Sequence, residues 1–223
     1  DETPTLFETF KTIRDVGHVY HLADTPELQA QLFAELAKQS SFCFDTETTG
    51  LDRFEAKLLG VAFSWKAHEG WYLPVTDLKS QIADLRTALG SSAEKIGHNL
   101  KFDLSILLHH GIEVAGPFFD TLLADTLVSP DRRHSMDYLS EILLGYTPVK
   151  LADISKPATE PAPASDDLFA HAEKTKASKD LDISAIPLAV LAEYAAEDAD
   201  VTFQLAQKIR PLLTESGQES ILK

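Results

Sequence analysis

The short apolar run Ser41-Phe-Cys-Phe-Asp45, followed at once by Thr46-Glu47-Thr48-Thr49-Gly50, is the most restrictive segment of the chain. Apolar side chains in succession, without polar alternation, suit a strand covered on both faces. Such a strand needs a packed layer on each side, which calls for a sheet with helices. The run ends in two acids at i and i+2. Asp45 and Glu47 therefore project from one face at the C-terminal end of the strand. Gly50 and the threonines before it read as the turn that closes it.

The rest of the chain supplies the layers. Leu58 to Trp65 and Trp71 to Val75 read as two further strands around the polar Lys66-Ala-His-Glu-Gly70, the spacing of an antiparallel hairpin. A fourth short strand is expected at Lys95 to Gly97. It runs into a helix carrying Leu100, Leu104, Leu107 and Leu108, with Gly111 just past its end. Upstream, Thr25-Pro26-Glu27 starts a helix with a hydroxyl cap, Pro at the first helical position and an acid in the first turn. Later segments are helical in pattern at 119–129, 135–144 and 187–210. Between the last two, 155–180 is rich in Pro, Ala, Ser and charge and reads as a mobile loop. The sum is an α/β fold, a mixed sheet with helices packed on it.

Composition narrows the setting. With 223 residues, 44% of them apolar, the chain has material for one sizeable domain. No apolar run is long enough to span a membrane, and the opening DETPTLFETF lacks the basic and apolar regions of a secretion signal. The first residue is not Met and the chain ends in GQESILK, so it reads as a piece of something longer. The single cysteine, Cys43, makes no internal disulfide and reads as a small core residue, in keeping with a reducing, cytoplasmic compartment. The net charge of −15 weighs against a broad basic face for nucleic acid. An acidic chain can still act on nucleic acid if divalent cations carry the positive charge locally and the contact is short.

Three groups of acids stand out. Asp45 and Glu47 have no basic neighbour in sequence, so their mutual repulsion asks for a shared proton or a cation. On its own an Asp-x-Glu triplet arises by chance about once in a chain this long. Asn99 and Asp103 share a helix face near its start. Their bland alternative is a helix cap followed by a solvated first-turn acid. Tyr194 and Asp198 share a face of the last helix while Glu197 and Asp200 point elsewhere, and Ala195, Ala196 and Ala199 let another element approach closely. The alternative there is an amphipathic helix with solvated acids. Asp120 reads as a helix cap, and Asp125 is given no role. Four carboxylates from three separate elements make an oxygen-only site suited to two divalent cations, Mg2+ or Mn2+, about 4 Å apart. No zinc spacing, glycine-rich phosphate loop or Ser/His/Asp order is present.

Phe44-Asp-Thr-Glu-Thr-Thr-Gly-Leu51, Gly97-His-Asn-Leu-Lys-Phe-Asp103 and Tyr194-Ala-Ala-Glu-Asp-Ala-Asp-Val-Thr202 together resemble, in order and spacing, the three motifs of the DEDDy proofreading exonucleases. The likeness is strongest to the domain carried by bacterial family A DNA polymerases, and it runs from about residue 18 to 215. It implies a ribonuclease H-like fold: a mixed five-stranded sheet, its first three strands antiparallel and the rest parallel, flanked by helices. It implies a 3′→5′ exonuclease in which Asp45, Glu47, Asp103 and Asp198 hold two divalent ions and Tyr194 orients the attacking water. Thr46, Leu51, Asn99, Phe102, Arg133 and Leu151 would meet the terminal nucleotides of single-stranded DNA 3′ ends, Leu51 as an apolar wedge and Arg133 on phosphate. Residues 1–17 would be a lead-in, and 216–223 the start of a linker to a polymerase domain of the same parent chain. The isolated domain would be a monomer, and the parent a bacterial, nucleoid-associated protein. Two other readings stand beside this one: a ribonuclease D-like enzyme trimming RNA 3′ ends, and a catalytically inactive structural module.

Overall fold

The computed structural model describes residues 10–155 and 183–222. Apart from Ser155, the expected loop over 155–180 lies outside the described residues. Six strands, β1 (Val19–Leu22), β2 (Ser41–Thr48), β3 (Leu58–Lys66), β4 (Glu69–Pro74), β5 (Glu94–Gly97) and β6 (Phe118–Asp120), form one sheet in the order β1-β4-β3-β2-β5-β6. β2, β3 and β4 pair antiparallel, and β5 and β6 run parallel to β2. The expected five-stranded mixed sheet is thus present as β4-β3-β2-β5-β6. The sixth strand, β1, lies within a stretch that shows no period in the sequence, and it extends the sheet by pairing parallel to β4.

The helices are α1 (Pro26–Leu36), α2 (Leu78–Leu89), α3 (Leu100–His109), α4 (Thr121–Val128), α5 (Met136–Leu144), the short α6 (Leu151–Ile154) and the long α7 (Leu188–Glu215). α1 starts as its sequence requires, with Thr25 Oγ1 accepting from the Leu28 amide and Pro26 at the first position. α2 has no counterpart among the sequence expectations. Its signals are Asp77 as N-cap and buried Leu85 and Leu89 one turn apart.

Alternation along the strands divides the core in two. Phe42 and Phe44 of β2, Val61 and Phe63 of β3, and Trp71 and Leu73 of β4 pack with α1, α2 and α3. Cys43, Ala62 and Tyr72 face the other way, against α4, α5 and α7. Asp45 and Glu47 continue the Cys43 side, so the period of the strand aims them at α7.

α7 lies close to the sheet because small residues let it. Ala195, Ala196 and Ala199 are all fully buried. Opposite them, a Cβ placed on Gly70 of β4 would sit 2.6 Å from the Ala196 carbonyl oxygen. Gly70→Val should therefore force strand and helix apart, at about 2–3 kcal/mol for overpacking. We expect a thermal midpoint lower by about 5–10 °C for a chain of this size. An unchanged midpoint would show that the strand–helix approach is not a constraint on the fold.

Candidate active site

One carboxylate oxygen each from Asp45, Glu47 and Asp198 lies within 4.8 Å of the other two. β2 contributes the first two and α7 the third. Glu47 and Asp198 are buried, and Asp45 is half-buried. Burial alone disfavours the charged form, and each acid makes it worse for the next. The Asp45 carboxyl is pushed well above its ordinary range by burial, then by Asp103 and Asp198. Glu47 is pushed up to about 8 by burial, then by Asp45 and Asp103. Asp198 is raised by burial and then by Glu47, and the Tyr194 hydroxyl, which donates to it, only partly offsets this.

Asp103 arrives from the opposite layer. It is 4% exposed, not the solvated first-turn acid of the alternative reading. Its Oδ1 accepts from the Thr46 amide at 3.1 Å and from the Thr46 hydroxyl at 2.5 Å. These bonds oppose the effect of burial, which still raises its pKa to about 6. Asp103 thus meets β2 at residue 46, directly between the two acids, while its carboxylate stands outside the trio. Thr46, expected on the substrate, has both of its donors, the amide and the hydroxyl, engaged with Asp103.

The helix that carries Asp103 is not capped by Asn99. Asn99 has φ 63° and ψ 47°, and its side chain makes no cap bond. Asp120 does that work instead. Its Oδ1 accepts from the Asn99 amide at 3.1 Å and its Oδ2 from the Leu100 amide at 2.9 Å. Asp120 Oδ1 also caps α4 through the Leu122 amide at 2.9 Å. One carboxylate therefore serves two helix starts, and it leaves the exposed Asn99 side chain free to face outward.

The remaining expected residues surround this centre unequally. Leu51, just past β2, is 79% exposed, an apolar side chain with nothing to cover it. Phe102 is half-buried on the α3 side and Leu151 half-buried against the α7 core. Arg133 is exposed. Its neighbours are not: Asp125, given no role from the sequence, is fully buried and holds both the Arg132 guanidinium and His134 Nδ1, the latter at 2.7 Å. A carboxylate eight residues upstream thus fixes the turn that presents Arg133. Only the polar, charge-dense spelling Asp131-Arg-Arg-His after a helix containing a lone Asp hints at it.

Glu197 and Asp200 of α7 are buried without joining the trio. Glu197 accepts from the Tyr146 hydroxyl and from the Val149 amide at 3.0 Å. Asp200 accepts from the Tyr20 hydroxyl at 2.9 Å, the His68 amide at 2.8 Å and Gln204 at 2.9 Å. Asp198 differs: its Oδ1 is buried with no partner among the described residues. A buried carboxylate oxygen without a donor is costly, and three all-oxygen ligands converging there suit a hard divalent cation. The residues fit such an ion.

A family model described as 3′-5′ exonuclease matches residues 20–214. The chain belongs to the 3′-5′ exonuclease domain family of DNA polymerase I. The DNA polymerase I of Borreliella burgdorferi is 28% identical over 231 residues, covering 100% of this chain and 23% of that protein. The chain therefore spans under a quarter of that relative. Among solved structures, Brucella melitensis NrnC with bound Mg2+ superposes with a TM-score of 0.59 at 20% identity, over 93% of this chain and 87% of that one. Escherichia coli RNase D, described as an exoribonuclease involved in structured RNA processing, gives 0.63 at 17% identity, over 91% and 47%. These two likenesses establish the ribonuclease H-like fold of the exonuclease domain.

The raised carboxyls set a dependence on pH. A carboxyl whose folded pKa is raised contributes stability in its protonated form, complete below the unfolded value and lost as pH rises through the folded one. For Asp103 and Glu47 the folded values are about 6 and about 8, and Asp45 and Asp198 are displaced in the same direction. In chelator, the thermal midpoint should fall from about pH 5 to about pH 8. Mg2+ should remove most of that fall, and Glu47→Gln should make it shallower. Profiles that coincide with and without Mg2+ would contradict the electrostatic account.

Proposed function

We propose that this domain removes nucleotides one at a time from the 3′ end of a DNA strand, releasing nucleoside 5′-monophosphates, as the proofreading exonuclease of a DNA polymerase I. The observation that carries the reading is the buried, partnerless Asp198 Oδ1 set among the Asp45 and Glu47 carboxylates in a chain of this family.

Asp45, Glu47 and Asp198 would hold one divalent cation, Mg2+ or Mn2+, and Asp45 with Asp103 a second. Such a pair supplies Lewis-acid charge to the scissile phosphate and lowers the pKa of the attacking water. The chain's own groups do the positioning. Tyr194 is pushed far above the ordinary phenol range by burial and by Asp198 and Glu47, so it keeps its proton. Its hydroxyl would orient the water, and it does not act as a base. Asp103, tied to Thr46, holds the end of β2 in register with α3. No side chain needs to become a covalent nucleophile.

Leu51 would wedge against the terminal base, with Asn99 and Phe102 beside the last nucleotide, Arg133 on a phosphate and Leu151 on a neighbouring base. A few stacking contacts and the two cations suffice for single strands without sequence readout. The net charge of −15 is then no obstacle, because positive charge is delivered at the site and not over a face. In the parent protein a polymerase domain would hold the duplex, the isolated domain would be a monomer, and the setting would be the bacterial cytoplasm at the nucleoid. Among the described residues no helix is long and apolar enough to cross a membrane.

The fold shared with RNase D favours one second reading, trimming of RNA 3′ ends. Matched DNA and RNA single strands decide between the two, and strong preference for RNA would overturn the DNA reading. Asp45→Ala should lower trimming by at least about 1,000-fold, the several kcal/mol of charge stabilisation at stake. Its circular dichroism should be unchanged. Metal-independent trimming at the original rate in that variant would contradict the mechanism.

A further inference from the structure

Beside the carboxylates, on the α7 face of the sheet, one polar side chain has no task in the reading above. Tyr72 of β4 is fully buried, and its hydroxyl has no hydrogen-bond partner among the described residues. An unpaired buried hydroxyl is destabilising, and Phe would fill the same volume without one.

Gly60 fixes where that hydroxyl lies. A Cβ built on Gly60 would fall 2.2 Å from Tyr72 Oη, so the phenol tip occupies the space a side chain at 60 would take. Gly60 is the cross-strand partner of Glu47. Side chains of directly opposed residues leave the sheet on one face with their Cβ atoms about 4.5–5.5 Å apart. The Tyr72 hydroxyl therefore stands beside the Glu47 side chain, on the face where Asp45 and Asp198 converge. Burial and the nearby Glu47 charge push the phenol well above its ordinary value, so it keeps its proton and can act as a donor. Tyr72 Oη and Asp198 Oδ1 are thus two partnerless buried polar atoms flanking one glutamate.

We propose that Tyr72 is a positioning residue for Glu47: when a cation fills the site, its hydroxyl donates to the Glu47 oxygen that the cation does not use. The bond fixes the Glu47 rotamer and keeps the ligand oxygen aimed inward. Groups that orient metal ligands in this way are typically worth about 10–100-fold in metal affinity. This assignment rests on the metal-site reading above.

Tyr72→Phe tests it, with Mn2+ alone as the probe. Mn2+ affinity, followed by electron paramagnetic resonance of the free ion, should fall about ten-fold. Trimming should drop at limiting Mn2+ and return at saturating Mn2+, with KM for the DNA strand unchanged. In chelator the thermal midpoint should be equal to or above that of the original chain, because the variant keeps the ring and loses only the unpaired hydroxyl. Unchanged Mn2+ affinity in the variant, with normal binding in the original chain, would overturn the role of Tyr72 and leave the site reading intact. A midpoint that falls in chelator would make Tyr72 a packing residue and would also overturn it. Failure of the original chain to bind Mn2+ would remove both the role and the reading beneath it.

Discussion

Like charges crowded at the junction of β2 and α7 are the constraint on which the rest of the structure depends. Asp45, Glu47 and Asp198 offer oxygens within 4.8 Å of one another, and Asp103 adds its field from the next layer. A protein interior does not tolerate four ionised carboxylates without protons or cations to offset them. The fold must also bring α7 close enough for Asp198 to reach the strand, which explains the alanines of that helix and the glycine of β4 facing them. Protons relieve this crowding at low pH and a cation would relieve it at neutral pH, so the fold and the proposed activity share one electrostatic origin.

Holding the trio in place is the work of acids that do not belong to it. Glu197 ties α7 to Tyr146 and Val149, and Asp200 ties it to Tyr20 and the His68 amide in the β3–β4 turn. Further along, Arg210 lies 3.9 Å over the Phe119 ring and pairs with Glu94 at 2.8 Å. These contacts fix the rotation of the helix about its axis, and rotation decides whether Asp198 meets Glu47. Asp120 and Asp125 play the same part on the other side, setting the start of α3 and the turn that bears Arg133.

Much of this was legible in the sequence, and what was not has physical reasons. The burial of β2, the hairpin that follows and the placement of Asp45 and Glu47 on one face come straight from a period of two. The i, i+4 spacing of Tyr194 and Asp198 gives their shared helix face in the same way. Asp120 could be read as a cap because short acids before helices do that work, yet its second role at Asn99 and Leu100 depends on a contact 20 residues away in the chain. The strand β1 has no internal alternation to announce it, since only its pairing to β4 makes it a strand. Nor does local pattern show that Asp103 is buried under Thr46, or that Tyr72 reaches across Gly60. Both facts belong to the packing of layers. The partnerless oxygen of Asp198 is likewise invisible until its neighbours are in place.

Anomalous diffraction from crystals soaked in Mn2+ tests the central claim most directly. The account predicts two peaks about 4 Å apart, one among Asp45, Glu47 and the free Oδ1 of Asp198, the other between Asp45 and Asp103. Saturating Mn2+ with no peak within coordination distance of Asp198 Oδ1 would contradict it.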